Sequence, residues 1–167
     1  TVGLIGVGNV GRAVGRRLAA CGAKIVACDP ITPPATFLET CAVELMGKEA
    51  LLASSDIVSL HCDLNPTSLH IMDAAAFCLM KNGSFLVNTA RGRLVDEPAL
   101  IAALQNDQLA GAALDVFEVE PLPSDSPLCA MNNVFLAPHN ANSSPEAWER
   151  VHSNTVNNLI KHLSKAG

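Results

Sequence analysis

The sequence predicts an α/β domain built on a doubly wound parallel sheet. Three observations carry that prediction. Apolar β-rich runs alternate with helix-like segments along the whole chain, and those runs read as strands buried on both faces. A glycine-rich turn, Gly6-Val7-Gly8-Asn9-Val10-Gly11, joins the first run to the first helix-like segment. The 167 residues suit one ordinary domain, which buries about two-thirds of its unfolded surface.

Taken in order, the apolar run 2–7 is the first strand and 9–21 the first helix, followed by a strand at 24–28, Lys24-Ile25-Val26-Ala27-Cys28. A short strand at 42–45 precedes a helix at 47–53, and a strand at 56–60 precedes a helix at 73–80. Strand 84–88 leads to helix 96–106, whose opening Asp96-Glu97-Pro98 supplies the acidic groups and early proline of a helix N-terminus. Strands at 110–114 and 134–136 complete the sheet, each strand pairing in parallel with a neighbour. The last helix, 144–163, carries Trp148, Val151, Thr155, Leu159 and Leu163 at near-helical spacing, a stripe expected to join the core. Segments 29–40 and 115–133 read as the longest irregular stretches.

Composition narrows the class of partner. Apolar residues make up 49% of the chain, charged residues only 16%, and the net charge is −5. A basic footprint for nucleic acid or an anionic membrane surface is therefore not expected. The apolar runs are too short for a membrane span, and no signal-peptide pattern precedes the first strand. The six cysteines, Cys21, Cys28, Cys41, Cys62, Cys78 and Cys129, lack a C-x-x-C pair and read as small buried side chains in a reducing cytoplasm. No metal-ligand spacing is present, so no metal is expected.

In the glycine turn each glycine has its own task. Gly6 makes the tight turn, Gly8 lets backbone approach a pyrophosphate, and Gly11 packs helix on strand. The helix dipole then favours the phosphates. Asp29 ends the second strand, 18 residues beyond Gly11, where a carboxylate accepts hydrogen bonds from a ribose 2′-hydroxyl and repels a 2′-phosphate. The following Pro30-Ile31-Thr32-Pro33-Pro34 offers no cation to a phosphate, so NAD is expected over NADP.

Ligands of doubly wound sheets lie at the carboxyl ends of the strands. Four such ends carry unusual polar groups here. After 84–88 comes Asn88-Thr89-Ala90-Arg91-Gly92, placing a guanidinium suited to a carboxylate beside a glycine. After 110–114 comes the acidic loop Asp115 to Pro121, with Glu118 and Glu120, and after 134–136 comes Pro138-His139-Asn140. His61-Cys62-Asp63 borders the cofactor through its backbone. His139 with an acidic partner, Glu118 or Glu120, makes an acid/base, and Arg91 makes a substrate clamp. His61, His70, His152 and His162 read as structural.

These segments, with Leu94-Val95-Asp96-Glu97 and Ala113 to Phe117, resemble the nucleotide-binding domain of the D-isomer-specific 2-hydroxyacid dehydrogenases over nearly the whole chain. The resemblance implies a Rossmann domain and reversible hydride transfer between NAD(H) and a 2-keto or D-2-hydroxy acid. It assigns Arg91 to the substrate's carboxylate and keto oxygen, pairs Glu120 with His139 and makes His139 the proton donor. It places Asp115 at the nicotinamide end, Thr89, Ala90 and Arg91 along the cofactor, and the backbone of Asn9 and Val10 on the pyrophosphate. Gly6, Gly8, Gly11, Asp29, Cys62 and His139 complete the expected cofactor set. Asp63 stands where the family usually has Pro, and Asn142 where it often has Gly.

The family's second domain is formed by segments on both sides of this one. Residues 1–167 are thus expected to be the NAD-binding half of a two-domain subunit, with the substrate domain absent from the chain, and to form a homodimer through this domain. The alternatives are an NAD(H)-sensing, non-catalytic module like the C-terminal-binding-protein corepressors, which share the pattern, or a cofactor-binding fragment without turnover.

Overall fold

The computed structural model describes residues 1–141 and 143–164. Along the chain run β1 (Val2–Ile5), α1 (Asn9–Ala20), β2 (Ile25–Cys28), α2 (Ala35–Thr40), β3 (Glu44–Leu45), α3 (Lys48–Ser54) and β4 (Ile57–Leu60). There follow α4 (Ala74–Leu79), β5 (Ser84–Asn88), α5 (Glu97–Gln105), β6 (Leu109–Leu114), β7 (Val134–Leu136) and α6 (Pro145–Leu163). Single 3-10 turns form at Gly92–Leu94 and Pro127–Ala130.

All these strands join one sheet in the order β3-β2-β1-β4-β5-β6-β7, and every pair is parallel. The chain winds outward from β1 to one edge, then returns to β1 and winds to the other. The order reverses at β1, so the loops after β1 and β4 leave on opposite faces and open a crevice between them.

Side chains alternate across each strand and divide the core in two. Val2, Leu4, Ile25 and Ala27 pack with Phe37 of α2 on one face. Ile5, Val26, Val58, Leu60 and Leu86 pack on the other with Leu51 and Leu52 of α3, Phe77 of α4 and Leu100 and Leu104 of α5. Asp73, Asp96 and Ser144 cap α4, α5 and α6, accepting the backbone N–H of Ala76, Ala99 and Ala147. Those caps satisfy donors that a helix start leaves unpaired.

Four expectations are corrected. Segment 29–40 is not irregular throughout, because Ala35–Thr40 coils into α2 around Phe37, which is 2% exposed. The sheet is not covered on both faces across its width: Ile57, Phe85 and Phe135 of β4, β5 and β7 lie exposed among the described residues. The stripe on α6 does not enter the core, since Trp148 is 53% and Leu163 65% exposed and no residue of that helix is buried. Of the six cysteines only Cys41 is buried; Cys28 and Cys62 are half-buried, and Cys21, Cys78 and Cys129 are exposed. No described helix is long and apolar enough to cross a membrane.

Replacing the α4 cap, Asp73→Ala, is expected to lower stability by about 1 kcal/mol, read as an earlier urea midpoint at unchanged slope.

Candidate active site

The fingerprint turn is built by close backbone contact. Gly6 has φ +93°, in the left-handed region, and a Cβ there would strike the backbone of His61 and Cys62 at the end of β4. A Cβ on Gly11 would strike the Gly6 carbonyl, so α1 lies directly on the end of β1. Gly8 is the exception: a Cβ built on it meets nothing within 4 Å. Space is thus kept open at the start of α1, where no side chain caps the helix and its first turn holds no acidic residue. Free helical N–H groups beside an open cradle fit a pyrophosphate.

Asp29 serves the same turn. Its Oδ2 accepts the Val7 N–H at 2.6 Å, and its Oδ1 accepts the Ile31 N–H at 2.7 Å. An ionised carboxylate has about four acceptor sites, so about two remain for a ribose diol. Asp29 is thus both a strand-end turn former and a candidate ribose ligand. Together with Gly6, Gly8, Ile31 and Cys62 it lines a cavity of about 390 Å³. A neighbouring cavity of about 520 Å³ is lined by Val10, Thr89, Ala90 and Arg91, and His61, Cys62 and Asp63 border both. Sharing those three residues, the two run together along the ends of β2, β1, β4 and β5. Val10, apolar yet 60% exposed, lines the second of them.

The floor of the groove is chemically quiet. Burial, with help from the charges of Asp63 and Asp29, pushes the Cys62 thiol up to about 11, which leaves it protonated and unreactive. Burial also lowers the pKa of His61. The neutral ring bonds Ser59 Oγ through Nε2 at 2.9 Å, while its buried Nδ1 has no partner among the described residues.

Beyond the groove, a third cavity, about 530 Å³, is lined by Phe117, Glu120, Leu122, Leu136, Pro138 and His139. Here His139 Nδ1 meets Glu120 Oε2 at 2.7 Å, and Glu120 Oε1 accepts the Phe117 N–H at 3.1 Å. The bond from His139 holds the Glu120 carboxyl below the usual range, against the opposing effect of burial, and the Phe117 N–H and the charge of Arg91 add to it. Arg91 therefore lies within electrostatic reach of the pair. Its guanidinium donates to the Ala90 carbonyl at 2.6 Å.

Two polar residues set this edge from behind. Asp115, only 4% exposed, accepts the N–H of Asn140 through Oδ1 and of Ala141 through Oδ2, both at 2.8 Å. It anchors the turn in which His139 adopts a left-handed backbone, φ 54°. Asn88, 1% exposed, donates to the Arg91 carbonyl at 2.9 Å and accepts the Ala90 N–H at 3.0 Å. Asn88 was legible only as a letter of its motif; its polar character at a buried strand end was the available signal. Arg12, whose guanidinium holds the Val7 carbonyl at 3.0 Å and Asn9 Oδ1 at 2.9 Å, gave no signal at all.

Of the two acids Glu118 and Glu120, Glu120 is the one in contact with His139. Glu118 turns away to His70, at 2.8 Å, and to the N–H of Glu97 at 3.2 Å. Asp63 borders the groove and accepts from the Asn65 amide at 3.3 Å. Asn142 lies outside the described residues. No cluster of three or more His, Cys, Asp or Glu able to hold a metal occurs among the described residues.

Gly8→Ala is expected to fold with stability within about 0.5 kcal/mol of the parent and to lose NAD affinity in calorimetry, whereas Gly6→Ala is expected to lose the fold itself. Because the folded pKa of Glu120 is depressed, its pairing stabilises the protein above the unfolded carboxylate pKa and is lost as pH falls through the folded value. Melting curves of the parent and Glu120→Gln should therefore differ at neutral pH and converge in acid.

Comparison with known proteins shows the family. Residues 1–141 match the D-isomer specific 2-hydroxyacid dehydrogenase NAD binding domain. The chain is 42% identical over 160 residues to a glyoxylate reductase of Korarchaeum cryptofilum, covering 96% of this chain and 48% of that protein. It is 38% identical over 167 residues to a D-3-phosphoglycerate dehydrogenase of Mycobacterium leprae, covering 100% of this chain and 31% of that protein. The crystal structure of a glyoxylate reductase from Paecilomyes thermophila superposes with a TM-score of 0.92 at 33% identity, over 99% of this chain and 49% of that one. The chain thus spans about half the length of relatives such as the Korarchaeum enzyme. It belongs to the D-isomer specific 2-hydroxyacid dehydrogenase family and corresponds to its NAD-binding domain.

Proposed function

We propose that residues 1–167 are the cofactor half of an enzyme that interconverts a 2-keto acid and a D-2-hydroxy acid with NAD(H). The observation that carries this reading is the 2.7 Å contact between His139 and Glu120, within reach of the Arg91 charge and next to an open dinucleotide groove. NAD(H), when bound, supplies the hydride chemistry.

The protein's share follows from its own groups. An ionised carboxylate only accepts, so Glu120 requires the proton of His139 on Nδ1. That leaves Nε2 as the nitrogen that gives a proton to a keto oxygen in reduction and takes it back in oxidation. Glu120 orients the ring and stabilises its charged form. Arg91 turns from the Ala90 carbonyl to hold a substrate carboxylate in two-pronged fashion. Gly6, Gly8, Asn9, Val10 and Gly11 present the pyrophosphate cradle, and Asp29 takes the ribose and disfavours a 2′-phosphate. Cys62, Thr89 and Ala90 line the groove. Asp115 serves the nicotinamide end by fixing the His139 turn.

The reading extends to a second, substrate-binding domain, which would exclude water from the cleft, and to a homodimer; the exposed Phe85 and Phe135 support additional packing partners. Six free cysteines fit a reducing cytoplasm. Relatives named as a glyoxylate reductase and a D-3-phosphoglycerate dehydrogenase favour catalysis over a purely sensing module.

The test joins binding and turnover. Calorimetry on residues 1–167 should show NADH bound and NADPH bound much more weakly. A protein carrying this domain with the half its relatives add should oxidise NADH with glyoxylate, hydroxypyruvate or pyruvate, and His139→Gln should slow it about 10²–10⁴-fold. Binding without turnover across a broad keto-acid panel would overturn the enzymatic reading.

A further inference from the structure

We infer that Glu97, Glu118 and His70 form a positioning clamp that fixes the distance between Arg91 and the Glu120–His139 pair. The inference rests on the reading of Arg91, Glu120 and His139 as the reacting set. Glu118 Oε1 accepts the N–H of Glu97 at 3.2 Å, and Glu97 Oε2 accepts the N–H of Glu118 at 3.3 Å. Each carboxylate thus bonds the other residue's backbone, tying the start of α5, which ends the connection from β5, to the loop after β6 by a two-way bond. His70, from the loop after β4, closes the group with Nε2 at 2.8 Å from Glu118 Oε1.

The place of these bonds in the chain gives them their effect. Arg91 precedes Gly92, where a Cβ would overlap the Phe117 carbonyl, so the two loops already touch at the backbone. Glu120 lies two residues beyond Glu118, and its second oxygen holds the Phe117 N–H. The clamp therefore grips the β5 loop beyond Arg91 and the β6 loop just before Glu120, with the backbone contact between them. His70 is itself pinned: its N–H bonds the Arg93 carbonyl at 2.9 Å, and its backbone is left-handed, φ 49°. Segments that follow three adjacent strands, β4, β5 and β6, are thus joined.

Two carboxylates this close repel one another. Burial and the charge of Glu118 raise the Glu97 carboxyl, partly offset by the Glu118 N–H that it accepts. The charged and titratable groups gathered here are Glu97 at the start of α5, Glu118 on the β6 loop, His70 on the β4 loop, and Asp125, which lines a cavity of about 360 Å³ with Glu97 and Glu118. A plain loop staple has no need of two acids. The arrangement holds because each acid finds a backbone donor and His70 supplies a further donor to Glu118.

The test reads Glu120 directly and needs no turnover. Side-chain carboxyl NMR of residues 1–167, with Glu120 assigned by Glu120→Gln, follows its titration in the parent and in variants. In Glu118→Ala the Glu120 titration should rise to the ordinary glutamate range as its contact with His139 loosens. Glu118→Gln, which keeps an acceptor for the Glu97 N–H, should restore most of the depression. Should Glu118→Ala fail to fold, Glu97→Ala removes one bond of the clamp from the other side and should shift Glu120 in the same direction. A folded Glu118→Ala or Glu97→Ala with Glu120 unmoved overturns the clamp. Calorimetry with NADH on the parent separately decides the functional reading: absence of binding would remove that reading, while the titration still decides the clamp.

Discussion

The reversal of strand order at β1 is the constraint on which the rest of this molecule depends. β1 pairs with β2 on one side and β4 on the other, both in parallel. The connections on its two sides must therefore diverge, and the crevice between them needs no dedicated wall. Parallel pairing also delivers every strand's carboxyl end to one edge. Residues far apart in sequence, such as Gly6, Arg91 and His139, come to that edge by topology alone.

What topology brings near, carboxylates and one amide then hold still. Asp29 bonds the N–H of Val7, Asp115 bonds those of Asn140 and Ala141, Glu120 bonds that of Phe117, and Asn88 grips both sides of Ala90 and Arg91. Each replaces water on a loop donor that would otherwise be solvated or stranded. The loops at the candidate site are thus ordered by short polar bonds, while the core beneath is ordered by packing. The carboxylates at this edge meet N–H groups, the His139 ring and the charge of Arg91.

Much of this was legible in the sequence, for physical reasons that differ by residue. Strands were recoverable because apolar runs punctuated by loops leave few alternatives, and their carboxyl ends pointed to Asp29, Arg91 and His139. Helix α2 was not, because six residues with one buried Phe37 carry no periodicity and two prolines precede them. The α6 stripe shows why spacing predicts amphipathicity and not burial: it specifies a face and says nothing of what covers it. Cysteine placement failed similarly, since residue-type averages do not register the outer side of a short helix. Glu118 and Glu120 differ by two positions in an irregular loop, where no regular period tells one orientation from the other. Only the fold sends one to His70 and the other to His139.

The double engagement of Asp29 couples two traits usually considered apart. The carboxylate proposed to discriminate against a 2′-phosphate also bolts the peptide of Val7 inside the fingerprint. On that proposal, cofactor preference in this chain is not a freely adjustable surface trait. A drift toward NADP by loss of the acid would loosen the pyrophosphate turn at the same stroke, so a viable path must first supply another acceptor for that peptide.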